Sequence, residues 1–123
     1  MLADDVQLLA AFYRDALDLS IEVAEENYVA FGGDGVRFAI FSRAGMGPNT
    51  HDHPDYRRQR AGQSFELNFE CSSSADVDAQ VQQIERHGGV IIAAPVLNDW
   101  GHYTAFFADQ EGNIHSLFAV VNG

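Results

Sequence analysis

The chain has 123 residues, 46% of them hydrophobic, which suffices for one domain that buries roughly two thirds of its extended surface. Seven Lys plus Arg stand against 18 Asp plus Glu, and the formal net charge of −11 opposes phosphate backbones and anionic bilayers, so neither nucleic acid nor membrane is an expected partner. The lone cysteine, Cys71, has no intrachain disulfide partner, and MLADDVQ lacks the basic flank and apolar run of an export signal, so a cytoplasmic protein is the expectation.

From Asp5 to Leu17 the stretch DVQLLAAFYRDAL places apolar side chains near a 3.6-residue period, and this spacing predicts an amphipathic helix capped by Asp4 or Asp5. Ser20 to Val23, Tyr28 to Phe31 and Val36 to Phe41 are short β-branched or aromatic runs, separated by EEN and by the turn Gly32-Gly33-Asp34-Gly35; they predict three strands. Residues 43–61, with glycines and prolines and few large apolar side chains, are expected to be a connecting loop between a first module, 1–42, and a second, 62–123.

The second module repeats the plan. Gln63 to Cys71 alternates as a strand, Ser74 is placed to cap a helix from Ala75 to about His87, and Gly88-Gly89 ends it. The apolar run Val90 to Ala94 predicts a buried strand, followed by strands His102 to Ala108 and Asn113 to Val121 around the turn Asp109-Gln110-Glu111-Gly112. A shift of 71 residues lays Asp5-Val6 on Asp76-Val77 and Ile21 on Ile92, and a shift of 77 lays Ile40-Phe41 on Leu117-Phe118. An internal repeat of strand, helix and three strands follows. Only Met1-Leu2-Ala3 precedes the first helix, so the first strand of module one is expected to be short or missing; the edge this leaves favours covering by a second subunit, a homodimer.

Phe12-Tyr13-Arg14-Asp15 with Leu17, Trp100-Gly101, and Phe107-x-Asp109-x-x-Gly112-Asn113 resemble, in this order and spacing, the glyoxalase, bleomycin-resistance and extradiol-dioxygenase superfamily, the vicinal oxygen chelate family. The resemblance implies an α+β fold of two tandem βαβββ modules whose curved mixed sheets surround a cleft. It also implies a divalent metal held by histidine or glutamate on the first and last strands of each module. Carried onto this chain, the last-strand positions are Ala39 and Ser116, the first-strand position of module two is Ser64, and that of module one falls before Met1. Alanine and neutral serine do not replace imidazole or carboxylate ligands, so no cofactor is expected at the usual positions, and a metal-dependent centre is the alternative.

Strand alternation sets the side chains expected to share a face with those positions: Glu66 and Asn68 with Ser64, Arg37 and Phe41 with Ala39, and Phe118 with Ser116. Trp100 and His102 are expected near the cleft mouth. Arg37, Phe41, Ser64, Glu66, Asn68, Trp100, Ser116 and Phe118 are thus the candidate ligand-binding set, each with a structural alternative in ion pairing, hydration or packing. Glu66 and His102 are the candidates for proton transfer. In Asn49-Thr50-His51-Asp52-His53-Pro54-Asp55-Tyr56, an extended backbone would turn His51, His53 and Asp55 to one side as an alternative metal site, while the following Arg57-Arg58-Gln59-Arg60 favours a solvated lid or contact loop. The leading expectation is a metal-independent binder of a small organic ligand, aromatic or cationic, of the bleomycin-resistance type. The competing one is a glyoxalase-like isomerase, lyase or dioxygenase, using metal or Glu66 as base.

Overall fold

The computed structural model describes residues 1–33, 35–59 and 61–121. Asp34 of the predicted turn, Arg60 of the arginine run, and Asn122 and Gly123 lie outside the described residues. The fold is α+β, with two four-stranded mixed sheets of identical plan, and the chain divides into units Met1–Gly62 and Gln63–Gly123.

In the first unit, β1 (Leu2–Ala3), β2 (Ile21–Ala24), β3 (Tyr28–Phe31) and β4 (Ala39–Ser42) form a sheet in the order β1-β4-β3-β2, and β1 is the short strand expected from the sequence. Helix α1 (Val6–Ala16) starts where the Asp5 carboxylate accepts the Leu8 N–H at 3.0 Å, and it ends before Asp18, whose φ of 58° breaks the helix. Its buried stripe, Val6, Leu9, Ala10, Phe12, Tyr13 and Ala16, faces the sheet. Tyr13 is the hub of this core: its ring meets those of Phe12, Phe31 and Phe38 edge to face.

Two expectations fail here. The strand predicted from Val36 begins only at Ala39; cross-strand bonding reaches as far as the Phe31 N–H, which donates to the Phe38 carbonyl, and Val36 beyond it stays in the turn, 96% exposed. The predicted loop after β4 contains helix α2 (Arg43–Asn49) and a 3₁₀ turn, Pro54–Tyr56. The sequence RAGMGPN is a poor helix former, and tertiary contacts override it. Ser42 caps α2 by accepting the Gly45 N–H, Arg43 is buried and donates through Nε to Asp4 at 2.9 Å, and Gly45 lets the helix lie against the Phe41 ring.

In the second unit, β5 (Asn68–Glu70), β6 (Val90–Leu97), β7 (His102–Ala108) and β8 (Ile114–Val120) follow the order β5-β8-β7-β6. Helix α3 (Ser74–Arg86) is capped by Ser73 rather than Ser74, the Ser73 hydroxyl accepting the Asp76 N–H, and Gly88 at φ 93° turns the chain out of it. The strand predicted as buried, β6, is an edge strand with Val90, Ile92, Val96 and Leu97 all more than half exposed, and Pro95 and two register shifts blunt that edge. Between β7 and β8 the buried Asp109 carboxylate accepts the N–H groups of Glu111 and Asn113, which accounts physically for the Asp-x-x-Gly-Asn pattern, with Gly112 at φ 81°.

Candidate functional site

Alternation along three strands decides which side chains of the second unit turn away from α3. Phe107, Leu117 and Ala119 are buried on the helix side, where Phe69 meets Phe107 and His115, and where the Tyr103 hydroxyl donates to Asp78 of α3 at 2.7 Å. The opposite, open side therefore carries Asn68 and Glu70 from β5, Ser116 and Phe118 from β8, and His102, Thr104 and Phe106 from β7. Two rows cross this face in register, Asn68 beside Ser116 beside Phe106, and Glu70 beside Phe118 beside Thr104.

These side chains engage one another. The Ser116 hydroxyl, only 4% of the residue being exposed, donates to the Asn68 side-chain oxygen. The His102 ring stacks on Phe118 with centroids 5.0 Å apart and an interplanar angle of 19°. Asn98 donates its amide to the Thr104 hydroxyl at 3.1 Å, and Trp100, 71% exposed, occupies the turn that leads into His102. Four of the residues singled out from sequence, Asn68, His102, Ser116 and Phe118, thus meet on one face, with Trp100 at its end. Phe106, Thr104 and Asn98 were not singled out; the strand His102–Ala108 has the bounds read from the sequence, and alternation along it from His102 leads to Thr104 and Phe106.

The other candidates stand apart from this face. The residue in register with Ser116 is Asn68, so Ser64, four positions earlier, is not its neighbour, and both Ser64 and Glu66 are exposed and precede the strand. The reason for the shortened strand is local. Ile114 N–H and carbonyl are both bonded to the Gln63 carboxamide, at 3.2 and 2.7 Å, and the Leu67 N–H donates to His115 Nδ1 at 2.9 Å. Side chains thereby occupy the groups on which a longer β5 ladder would be built. Arg37 is exposed and outside β4, while Phe41 belongs to the first unit's sheet, in edge contact with Tyr28 at 5.8 Å.

The histidine-rich segment is not extended as the alternative metal site requires. His51 and Asp52 adopt φ values of 55° and 58°, so His51 and His53 do not alternate along a strand, and His53 Nδ1 accepts the Asp55 N–H at 3.2 Å. A shallow concavity of about 470 Å³ lies beside α2, lined among others by Pro48, Asp52, His53, Tyr56 and Arg57. Among the described residues no group of three or more His, Cys, Asp or Glu is placed to hold a metal ion.

The chemistry of the donors at the positions implied by the resemblance is equally unsuited to a divalent transition metal. Ala39 has no donor, and the hydroxyl of Ser116 is committed to Asn68, a pair without charge, where such an ion requires imidazole, carboxylate or thiolate. At Cys71 burial, then Asp76 and Glu70, push the thiol up, away from the thiolate that metal ligation requires. His115 is 1% exposed, and burial holds its imidazole below the ordinary value despite the opposing pull of Asp109, which keeps Nδ1 an acceptor for Leu67.

Comparison with known proteins agrees with this architecture. A family-enzyme structure from Burkholderia phytofirmans PsJN, a glyoxalase/bleomycin resistance protein/dioxygenase, superposes with a TM-score of 0.88 at 18% identity, over 98% of this chain and 94% of that one. A lactoylglutathione lyase from Agrobacterium tumefaciens gives 0.73 at 22% identity, over 97% and 88%. A protein of unknown function from A. tumefaciens C58 gives 0.73 at 26% identity, over 96% and 87%. No curated protein matches the chain. Among the described residues no helix is long and apolar enough to cross a membrane. The family model matches residues 1–116, nearly the whole chain, and the protein belongs to the Glyoxalase/Bleomycin resistance protein/Dioxygenase superfamily.

Proposed function

We propose that the protein binds a small organic molecule without metal, on the open face of the second unit, and that the preferred ligand is a planar aromatic ring, neutral or cationic. The observation that carries this reading is the Asn68–Ser116 hydrogen bond, which puts an uncharged pair where the family's metal-binding glutamate would stand, directly beside the His102–Phe118 stack. A ring laid against His102, Phe118 and Phe106 gains dispersion and stacking, and the Asn68 amide and the Thr104 hydroxyl offer its edge donors and an acceptor, with Ser116 fixing the Asn68 side chain. Glu70, in register with Phe118, adds one carboxylate, which favours a cation over an anion.

The test uses Trp100, the sole tryptophan, as the reporter. Titration with 1-methylquinolinium should quench its fluorescence saturably and equally with and without a chelator, and protein purified without chelator should carry less than stoichiometric metal. A tightly held equivalent of transition metal, or quenching abolished by the chelator, overturns the reading. A homodimer is proposed alongside it, because β4 is paired on one side only by Leu2 and Ala3 and leaves backbone groups for a second subunit. A monomer mass by sedimentation at micromolar concentration contradicts that part.

A further inference from the structure

The break in β5 points to a second level of control over the same face. In a parallel pair each residue of one strand bonds to two residues flanking its partner, so Ser116, in register with Asn68, receives the Leu67 carbonyl at 3.0 Å as expected. The next rung would join the Ile114 N–H to the Phe65 carbonyl, and the Leu67 N–H to the Ile114 carbonyl. Every one of these four groups is instead satisfied by a side chain. Gln63 inserts its carboxamide into the rung: Nε2 donates to both the Phe65 and Ile114 carbonyls, at 2.6 and 2.7 Å, and Oε1 accepts the Ile114 N–H. His115 Nδ1 takes the Leu67 N–H.

We infer that Gln63 and His115 are positioning residues that hold the segment Ser64–Leu67 off the sheet and thereby set how many carboxylates the ligand face presents. With Gln63 withdrawn, the Phe65 carbonyl and both Ile114 groups are freed, and once the Leu67 N–H passes from His115 Nδ1 to the Ile114 carbonyl the four groups close as a regular rung. Alternation from Asn68 then brings Glu66 onto the open face beside Ile114, two positions from the Asn68–Ser116 pair. The face has one carboxylate, Glu70, in the wedged state and two, Glu66 and Glu70, in the closed state. Within the second unit little offsets the added charge: Arg86, on α3, is the only Arg or Lys in residues 63–123, against eight acidic residues. Closure is therefore favoured by a cationic ligand and disfavoured by an anionic one. This assignment rests on the ligand face proposed above, but the wedge itself is open to a separate measurement.

The experiment compares the full chain with Gln63→Ala, Gln63→Ala/Glu66→Gln and His115→Asn, the last keeping an acceptor near the position of Nδ1. Backbone NMR of the wild type should show β structure starting at Asn68, with the Leu67 amide slow to exchange. Gln63→Ala should gain cross-strand contacts between residues 65–67 and 113–115 and bind 1-methylquinolinium about threefold more tightly, the order expected for one partly exposed opposite charge. The double variant should lose that gain, and its affinity for 2-naphthoate should exceed that of Gln63→Ala. His115→Asn should keep the wild-type pattern. Fast-exchanging amides over residues 64–67 in Gln63→Ala without new cross-strand contacts, or a continuous ladder already present in the wild type, overturns the inference. Absence of quinolinium binding in every variant, with the ladder closing as described, overturns the ligand face and leaves the wedge standing.

Discussion

In the first unit α1 buries six residues against its sheet, among them the aromatic pair Phe12 and Tyr13, whereas in the second α3 buries only Val77 and Ile84 fully and the core rings come from the strands and from His115. The strand order is the same in both. The open faces differ in parallel: Ala39 lies beside Ala30 in the first unit, while the equivalent position, Ser116, lies between Asn68 and Phe106 in the second. One topology thus supports an apolar face with Tyr28 and Phe41 in one unit and a polar and aromatic face in the other. The lesson is that the fold fixes positions, and the residues placed on those positions decide the chemistry.

The contrast in cores can be broken most strongly at Tyr13. Tyr13→Ala removes a ring fully enclosed by three others and should cost about 3–5 kcal/mol in denaturant unfolding. Ile84→Ala, the corresponding truncation on α3, should cost about 2–3 kcal/mol. Equal losses at the two sites would remove the distinction between the units.

The helix caps are the next largest test. Asp5→Ala and Ser73→Ala each delete one acceptor for a first-turn N–H and should each cost about 1 kcal/mol. A neutral outcome at Ser73 would return the start of α3 to Ser74.

Acidification sharpens the comparison from the other side, because the buried His115 belongs to the second unit alone. Burial lowers its folded pKa, so the unfolded chain binds the proton first as the pH falls. Its contribution to stability is fully present above about 6.5 and is lost progressively as the pH drops below that value toward the lowered folded pKa. Midpoints of urea unfolding should fall with pH in this window for the wild type and fall less in His115→Asn; coincident profiles contradict the assignment. The smallest effect on stability is expected at Ser116→Ala, since Asn68 is exposed and finds water in place of the lost hydroxyl.

Much of the architecture was legible because it rests on local rules. The 3.6-residue spacing around Tyr13, the glycines after α3 and the Asp109 turn each carry their own physical signal. Helix α2 was not legible: its support is the long-range bond from Arg43 to Asp4 and the packing of Gly45 on Phe41, and composition alone reads the segment as loop. Alternation placed Ser116, Phe118 and Asn68 together, but it ran too far on β5, where the Gln63 carboxamide and the His115 imidazole take groups that the pattern assigns to the ladder. The alternative metal site at His51, His53 and Asp55 depended on an extended backbone, and the positive φ of His51 and Asp52 removes that condition.

The most direct test of the account is a map of backbone amide shifts during titration with 1-methylquinolinium in the presence of a chelator. The prediction is that perturbations concentrate on Asn68, Glu70, His102, Thr104, Ser116 and Phe118 of the second unit. Perturbations centred instead on Tyr28 and Phe41 of the first unit, or a response that requires added metal, would contradict it.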